Sequence, residues 1–560
     1  MTTITDVKKR IAAEIAEKKN PQSDRLSKVL MAGDMVLMRE YLLFHIDGKE
    51  FFNRMDSLLS LISTSFEDQP VAVRQTMLAF LADFSIDLSS YLPEWHLAKE
   101  ISPDQLMRAK AQVDDAILHF CDRDSDIARL IHDNYRAVEV YRLKAEGLSD
   151  DEAAHEAKKL LGATLPDYIK YLSDETLSST LRQSAGEQTE IGNDYATFLD
   201  YALRIGASFA TTNPVLVKLA WDLDPPLWTP VVDALIKKSL ARFAGETRGA
   251  KNHIEQVASA LTMSVVEQNC RKLRGIYLAT EGRQGYVSLQ INPKNHSDST
   301  LMIDEVMRLY AGLEESIGGV PNVVFKLPST DAGLAAAEVI TRRGIGVTIT
   351  VTFAATQAVE FAKVLRLGNA PVCYIALMNG RLAYPVRDEL KESWGDQGVL
   401  DARFAGVEVA KKVNRLLYGP ADDGGLAIDR SRVRIMIASL RIYDGLIPDV
   451  TDLWGIPLIT IFPNVRRALD LGKLPLNAES VRVPSEKSVL QGLAKSELFR
   501  QAWWLPEEGN AFEPEYPLSM EPLGRDRLFA WAPVFQTLSQ FIELYDEMSE
   551  MIRDRLGAIQ

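Results

Sequence analysis

The stretch VVFKLPSTDAGLAAAEVI, residues 323 to 340, predicts a buried β-strand that leads directly into an α-helix. Its first six residues form an apolar strand pattern, and the alanine-rich part after Ser329 and Thr330 has helical periodicity. One residue interrupts the apolar pattern, because Lys326 lies inside the predicted strand. Burial disfavours the ammonium form. A lysine at this position therefore either pairs with a carboxylate or serves as a neutral amine, the form that attacks carbonyl groups.

The same strand-then-helix pattern recurs through the second part of the chain. Eight strands that are each followed by a helix predict a (β/α)₈ barrel in the α/β class, and no glycine-rich dinucleotide fingerprint supports an open doubly wound sheet. The weakest of the predicted strands is the first, in EQTEIGND at residues 187–194. The other predicted strands lie in ASFATTN (207–213), GYVSLQIN (285–292), NVVFKLP (322–328), GVTITVTF (346–353), VCYIALM (372–378), VRIMIASL (433–440) and PLITIF (457–462).

The first part of the chain has a helical pattern and no convincing strand. Residues 6–19, 102–121 and 149–162 show helical periodicity, with serine or aspartate at plausible N-caps. We therefore expect an all-α domain at residues 1–180 and a barrel with C-terminal helices at residues 181–560. The segment WWLPEEGNAFEPEYPLSMEPLG, residues 503–524, predicts a surface loop.

Composition limits the class of protein. A chain of 560 residues with 46% hydrophobic and 25% charged residues is of ordinary globular composition, and its net charge of -14 argues against nucleic acid or an anionic membrane as the main partner. Cys121, Cys270 and Cys373 form neither a disulfide framework nor a metal-binding pattern. No apolar signal core or membrane span is present. We expect a soluble cytoplasmic protein that binds no metal, and assembly into a homo-oligomer stays open.

In such a barrel, residues at the C-terminal ends of the strands face one site. Here they comprise one lysine, two arginines and several neutral hydroxyl and amide groups, which would form a positively charged, hydrogen-bonding pocket in an acidic protein. Arginines bind phosphate, a neutral lysine condenses with a ketone, and hydroxyls hold sugar hydroxyls, so the set favours a phosphorylated sugar. The residues are Thr211, Thr212, Asn213, Gln290, Lys326, Thr348, Thr350, Thr352, Arg381, Ser439 and Arg441.

Six motifs on successive strands resemble the transaldolase family, whose members are Schiff-base enzymes built on a (β/α)₈ barrel. They are FATTNPVL, GYVSLQIN, VVFKLPSTDAGLAAAEVI, TITVTFAATQAV, NGRL and IASLR, in that order. The resemblance implies a transferase with Lys326 as the Schiff-base lysine and no cofactor. It also implies that Thr211 and Asn213 hold the donor and that Thr350 helps to hold the catalytic water. Arg381, Ser439 and Arg441 would bind the substrate phosphate. TEIGND places Glu190 at the acid position of the first strand, with Asp194 as the alternative.

This sequence departs from the family pattern around the donor. Gln290 stands where transaldolases have a glutamate, and a glutamine can position water but cannot take its proton. Related fructose-6-phosphate aldolases also have glutamine there, but they pair it with a tyrosine where this chain has Met378. Thr348 replaces the family's asparagine, and Ala376 replaces its serine. The resemblance implies transfer of a dihydroxyacetone unit between sugar phosphates. Simple aldol cleavage and non-catalytic sugar-phosphate binding are the alternatives.

Each of these residues also has a structural interpretation. A strand lysine near an acid often forms a structural ion pair, and arginines after strands often lie in solvent. Thr211 and Asn213 could shape the turn before Pro214. Gln290 could be either a holder of water or an inert replacement. Only the position of each side chain in the fold can separate the two interpretations.

Overall fold

A computed structural model gives the fold of residues 4–19, 30, 35–43, 48–90, 101–184, 188–195, 197–223, 225–242, 250–503 and 531–559. Eight parallel strands pair in sequence order, and β1 pairs with β8 to close the barrel. This confirms the predicted (β/α)₈ barrel. The strands are β1 Glu190–Asn193, β2 Ala207–Thr211, β3 Tyr286–Gln290, β4 Val323–Pro328, β5 Gly346–Thr352, β6 Cys373–Met378, β7 Val433–Ala438 and β8 Leu458–Ile461.

The strand β4 ends and its helix begins where the sequence pattern changes. All six residues of β4 are buried, and the next helix, Asp331–Arg342, begins after Thr330. Thr330 is its N-cap, and the Thr330 hydroxyl accepts a hydrogen bond from the Gly333 N–H at 3.1 Å. In the sheet, Lys326 lies opposite Gln290 of β3 on one side and opposite Thr348 of β5 on the other. The strand therefore fixes both neighbours of the lysine.

Only helices precede β1 in the described residues, as the sequence predicts. Ser102 and Ser149 are N-caps with capping boxes, which explains where the two helices after them begin. The helices are α1 Ile4–Lys19, α2 Met35–Leu43, α3 Gly48–Ser65, α4 Val71–Ser90, α5 Pro103–Arg123, α6 Ser125–Ala145, α7 Asp150–Leu160, α8 Leu165–Ser178 and α9 Thr180–Ser184.

Buried ion pairs join these helices to the barrel. Arg142 of α6 donates to Glu146 at 2.6 Å, and Glu146 also accepts from Arg466 of the barrel at 3.1 Å. Arg204, which precedes β2, similarly donates to Asp87 of α4 at 2.9 Å. Hydrophobic packing is continuous across the same boundary, since one core contains both Phe51 and Phe325. The division of the chain near residue 180 into two domains stays a prediction.

The barrel helices surround the strands, and some consecutive strands are joined by more than one helix. They are α10 Leu199–Arg204, α11 Pro214–Leu223, α12 Pro225–Arg242, α13 Ala250–Lys272, α14 Arg274–Ala279, α15 Ser299–Ile317, α16 Asp331–Arg342, α17 Ala355–Leu365, α18 Asn379–Asp401, α19 Ala405–Tyr418, α20 Pro448–Thr451 and α21 Pro463–Gly472. Short 3₁₀ helices lie at Pro293–Asn295, Ala402–Phe404, Ala421–Asp423 and Ser480–Arg482.

The C-terminal region is helical where the structure describes it. Its helices are α22 Lys487–Leu493, α23 Glu497–Trp503 and α24 Ala532–Ile559. The predicted surface loop at residues 503–524 lies outside the described residues except for Trp503, which ends α23. None of the described helices combines the length and the apolar character that crossing a lipid bilayer requires.

Candidate functional site

Lys326 is buried inside the barrel and has a neutral hydrogen-bond partner. Its Nζ atom donates to the backbone carbonyl oxygen of Thr212 at 3.1 Å. Burial lowers the pKa of the Lys326 ammonium, and the nearby Asp194 carboxylate opposes this shift. Among the described residues Lys326 forms no salt bridge. The geometry thus favours the amine form that can attack a carbonyl carbon.

Asp194 is the carboxyl group whose negative charge acts on Lys326. It lies directly after β1, accepts a hydrogen bond from the Thr211 hydroxyl and also accepts from the backbone N–H of Ser439. Burial raises the pKa of Asp194, whereas the charge of Lys326 and these hydrogen bonds oppose the rise. A buried carboxyl group with a raised pKa is suited to proton transfer near neutral pH.

Glu190 lies at the opposite end of the barrel from Lys326, so its position disfavours the predicted acid role and favours the alternative, Asp194. It is the first residue of β1, and its carboxylate accepts from Arg434 at 2.7 Å and from the Ser208 hydroxyl at 2.7 Å. Arg434 in turn donates to the carbonyl oxygen of Arg283, in the segment before β3. The pair therefore stabilises the N-terminal end of the barrel. The alternative residue, Asp194, lies at the C-terminal end.

Gln290 and Thr348 flank Lys326 on the two neighbouring strands and are both buried. The Oε1 atom of Gln290 and the Oγ1 atom of Thr348 have no hydrogen-bond partner among the described residues. A buried polar atom left unpaired costs about 1–3 kcal/mol, so these two atoms are suited to bind a polar ligand or an ordered water.

Thr350 is placed by an irregularity in β5 that the sequence did not reveal. The pairing of β5 with β6 shifts between Ile349 and Thr352, and Val351 has a φ of 60°. A β-branched residue in the left-handed region is strained, and such bulges redirect neighbouring side chains. The Thr350 hydroxyl lies 3.8 Å from the Sδ atom of Met378, so both side chains face the same part of the barrel interior.

Thr211 and Asn213 form different hydrogen bonds within the protein. Thr211 is buried and bonded to Asp194, so it lies in the site. The Oδ1 atom of Asn213 accepts from the Leu216 N–H at 2.9 Å at the beginning of α11. This is the turn-shaping role that its structural interpretation predicts. The predicted role of Asn213 in holding the donor would therefore fall to its amide nitrogen, and it stays a prediction.

Arg381 and Arg441 lie close enough to influence each other at the predicted phosphate subsite. Burial lowers the pKa of Arg381, and the charge of Arg441 lowers it further. Arg441 donates from Nη1 to the carbonyl oxygens of Ser439 at 3.1 Å and Leu440 at 2.9 Å, and its guanidinium lies 5.2 Å from the Tyr384 ring centroid. Among the described residues neither arginine forms a salt bridge, so their positive charges are available to an anion.

The backbone around Ser439 has a special conformation. Ser439 directly follows β7 and has a φ of 63°, in the left-handed region. The N–H of Gly380 donates to its carbonyl oxygen at 3.1 Å, and a side-chain Cβ at position 380 would lie only 2.3 Å from that oxygen. Glycine at position 380 thus allows the start of α18 to approach the Ser439 segment.

Asp449 contacts this segment through a backbone N–H and was not predicted from the sequence. It is buried, and its Oδ2 atom accepts from the backbone N–H of Arg441 at 3.2 Å. Burial raises the pKa of Asp449 to about 7, against hydrogen bonds from Asn379 and Arg441. Its position in PDVTD, ten residues after Ser439, carries no sequence signal that would have assigned it to the site.

No group of three or more histidine, cysteine, aspartate or glutamate side chains lies close enough together to hold a metal ion within the described ranges. The residues that the structure brings together at the C-terminal end are Asp194, Thr211, Gln290, Lys326, Thr348, Thr350, Arg381, Ser439 and Arg441. This set combines an amine, a carboxyl group, neutral hydrogen-bonding groups and two cations. It suits addition to a carbonyl group of an anionic, hydroxylated molecule.

Comparison with protein families agrees with this geometry. Residues 200–500 match the family model described as Transaldolase/Fructose-6-phosphate aldolase, which is more than half of the 560-residue chain. The chain belongs to the transaldolase/fructose-6-phosphate aldolase family. The match confirms the resemblance seen in the strand motifs. The region before residue 200 lies outside the matched segment of this family member.

Individual relatives of this transaldolase-family protein are distant. A transaldolase of Neisseria meningitidis serogroup C / serotype 2a is 25% identical over 280 residues, which cover 47% of this chain and 73% of that protein. A transaldolase of Thiobacillus denitrificans is 29% identical over 153 residues, or 27% of this chain and 38% of that protein. A transaldolase of Campylobacter jejuni subsp. jejuni serotype O:23/36 is 25% identical over 182 residues, which cover 32% of this chain and 48% of that protein. The chain thus spans less than half the length of the latter two relatives.

Proposed function

We propose that the protein is a transferase of the transaldolase type. It moves a three-carbon dihydroxyacetone unit from a ketose phosphate to an aldose acceptor through an imine on Lys326. The observation that carries the proposal is the buried Lys326 amine, whose hydrogen-bond acceptor is the neutral carbonyl of Thr212. Asp194 lies within electrostatic range of it. The lowered lysine pKa and the raised aspartate pKa suit a nucleophile and a proton carrier, respectively.

The first step forms the imine. The Nζ lone pair of neutral Lys326 attacks the ketone carbon C2 of the donor, and the proton that Nζ then releases passes to the former carbonyl oxygen, which gives a neutral carbinolamine. Asp194 in its protonated form then donates a proton to the hydroxyl of the carbinolamine, which leaves as water. The product is a protonated imine, and Asp194 becomes a carboxylate. No metal or organic cofactor is needed, because the imine itself is the electron sink.

The second step breaks the bond between C3 and C4. The Asp194 carboxylate takes the proton of the C4 hydroxyl, the carbonyl of the departing aldose phosphate forms, and the bonding electrons move to the imine nitrogen. A three-carbon enamine stays attached to Lys326. The aldose phosphate leaves, and the Arg381, Ser439 and Arg441 subsite is proposed to hold its phosphate until release.

The third step determines the outcome. In transfer, C3 of the enamine attacks the carbonyl carbon of an acceptor aldose, whose oxygen takes the proton from Asp194, and water then hydrolyses the new imine. We propose that this water is held by Gln290 and Thr350. The donor hydroxyls are proposed to be held by Thr211, Asn213 and Thr348. In simple aldol cleavage the enamine is protonated at C3 instead, and hydrolysis releases dihydroxyacetone.

One observation favours aldol cleavage as the second candidate. The Gln290 side chain beside Lys326 is neutral, and its Oε1 atom is buried without a partner among the described residues. An amide can orient a water molecule toward the enamine or the imine without removing its proton. A non-catalytic sugar-phosphate-binding protein would retain the arginine subsite alone.

A coupled assay with fructose 6-phosphate and erythrose 4-phosphate separates these functions. We expect glyceraldehyde 3-phosphate to form at a rate that depends on the concentration of the acceptor, with little free dihydroxyacetone. Equal release of dihydroxyacetone and glyceraldehyde 3-phosphate without an acceptor would replace transfer by aldol cleavage. Binding of fructose 6-phosphate without any product would overturn both enzymatic functions. Arg441→Ala protein is the control that shows whether turnover needs the phosphate subsite.

The domain organisation is part of the same proposal. We propose that residues 1–180 form a helical domain and that residues 181–560 carry the chemistry. All residues assigned above to the reaction come from the second segment, as does the region that matches the family. The ion pairs of Glu146 and Arg204 would then act as structural links between the two segments.

A further inference from the structure

The last helix, α24, contacts segments that follow three of the barrel strands. Asp546 of α24 pairs with Lys294 in the 3₁₀ helix after β3. Directly before α24, the Trp531 ring packs on the Phe353 ring after β5, with 6.2 Å between centroids. The helix also contacts α18, which follows β6. α24 therefore forms part of the wall at the end of the barrel where Lys326 and the two arginines lie.

Two consecutive residues of α24 hold Arg381. The Nη1 atom of Arg381 donates to the Oε1 atom of Gln540, and its guanidinium lies 5.5 Å from the centroid of the Phe541 ring. An amide oxygen and an aromatic face both attract a guanidinium, and neither carries a formal charge. These contacts fix the orientation of Arg381 without cancelling its positive charge.

The charge of Arg381 is costly to keep in this position. Burial and the neighbouring Arg441 both lower the pKa of Arg381, and the charge of Asp194 opposes this shift, so on balance the cation is partly desolvated and repelled. A carboxylate partner would remove the repulsion, but it would compete with a substrate phosphate for the same guanidinium. A neutral acceptor from α24 leaves the remaining donors of the guanidinium free for an anion.

We propose that Gln540 is a positioning residue for the phosphate subsite and that its neutrality sets the affinity of this subsite for phosphate esters. The inference rests on the proposed function, because it takes Arg381 as a ligand of the substrate phosphate. It extends that function to the C-terminal helix, which lies outside residues 200–500 of the family match.

The test compares Gln540→Ala and Gln540→Glu with the matched variants Gln536→Ala and Gln536→Glu. Gln536 lies one turn earlier on the same helix and is exposed, as is Gln540, so all four proteins should fold with an unchanged thermal unfolding midpoint. Two quantities are measured on each protein. The first is the dissociation constant of inorganic phosphate by calorimetry, and the second is KM for fructose 6-phosphate compared with KM for unphosphorylated fructose.

We expect Gln540→Ala to weaken phosphate binding about threefold and Gln540→Glu about tenfold or more, because a glutamate would pair with Arg381. KM for fructose 6-phosphate should rise by similar factors. For unphosphorylated fructose, both kcat and KM should stay constant. The Gln536 variants should bind phosphate as the parent protein does. A purely structural role would change all substrates alike.

Other outcomes separate this inference from the function on which it rests. If the parent protein binds phosphate and both Gln540 variants bind it equally well, the role of Gln540 is overturned and the proposed function stands. If Gln536→Glu weakens binding as much as Gln540→Glu, a general field effect replaces the specific contact. If the parent protein does not bind phosphate at all, the phosphate subsite and the role of Gln540 are both overturned.

Discussion

Replacing Lys326 by alanine is expected to reduce kcat for fructose 6-phosphate by about 10⁴-fold or more, because no imine can form and the reaction loses its electron sink. The protein should still fold, since the lost ammonium group is costly to bury and its hydrogen-bond acceptor is a single backbone carbonyl. Binding of fructose 6-phosphate should persist through Arg381 and Arg441. The measurement is steady-state turnover together with calorimetric binding of the donor.

Lys363→Ala is the matched control for this variant. Lys363 lies on α17, is partly exposed and pairs with Glu360 at 3.1 Å, so its removal should leave turnover unchanged. Lys326→Arg should be as inactive as Lys326→Ala, because a guanidinium stays protonated and cannot act as the nucleophile. Substantial turnover by either Lys326 variant would show that another group performs the chemistry.

The second large effect distinguishes the two acidic residues at the ends of β1. Asp194→Asn is expected to reduce kcat by about 10²- to 10⁴-fold, because an amide cannot carry the proton between the substrate and its leaving groups. Glu190→Gln should instead reduce the free energy of unfolding by about 3 kcal/mol, since Arg434 would remain buried without its carboxylate. Chemical denaturation and turnover are measured on both proteins.

The Asp194 variant is expected to lose activity but not stability, and the Glu190 variant is expected to lose stability but not activity. Asp194→Asn should unfold at nearly the same denaturant concentration as the parent protein, and folded Glu190→Gln protein should retain most of its kcat. Asp194→Glu serves as the conservative control, which should recover part of the activity if a carboxyl group is what the step requires. Loss of turnover in Glu190→Gln with unchanged stability would return Glu190 to the acid position.

The barrel could be predicted because its signals are local. β4 coincides with a six-residue strand pattern that is apolar except for Lys326, and Thr330 caps the next helix as the side chain alone suggests. Placement of residues at strand ends then follows from the rule that parallel strands in a barrel present their carboxyl ends on one side. This rule predicts that Lys326, Gln290 and Arg441 share one site.

The preference for Glu190 over Asp194 in the sequence has a physical cause. β1 has only four residues, and TEIGND offers an acidic residue at each of its ends. Sequence similarity alone cannot tell which end faces the site when the bounds of the strand are unknown. Asp194 would have been preferred by strict use of the strand-end rule, because it follows the strand whereas Glu190 begins it.

Other parts of the site depend on tertiary contacts and have no local signal. Gln540 reaches Arg381 across 159 residues of chain, and Asp449 supports Arg441 through a backbone N–H. The left-handed conformations of Val351 and Ser439 occur at residues that rarely adopt them, so no turn preference predicts them. Such features arise where packing overrides local preference, which is common around functional sites.

Borohydride trapping tests most directly whether Lys326 forms an imine with a ketose phosphate. The folded protein is incubated with fructose 6-phosphate, reduced and digested, and the peptide that carries Lys326 is analysed by mass spectrometry. We expect a three-carbon adduct on Lys326 that disappears in Lys326→Ala protein. An adduct on a different lysine, or no adduct with any ketose phosphate, would contradict this expectation.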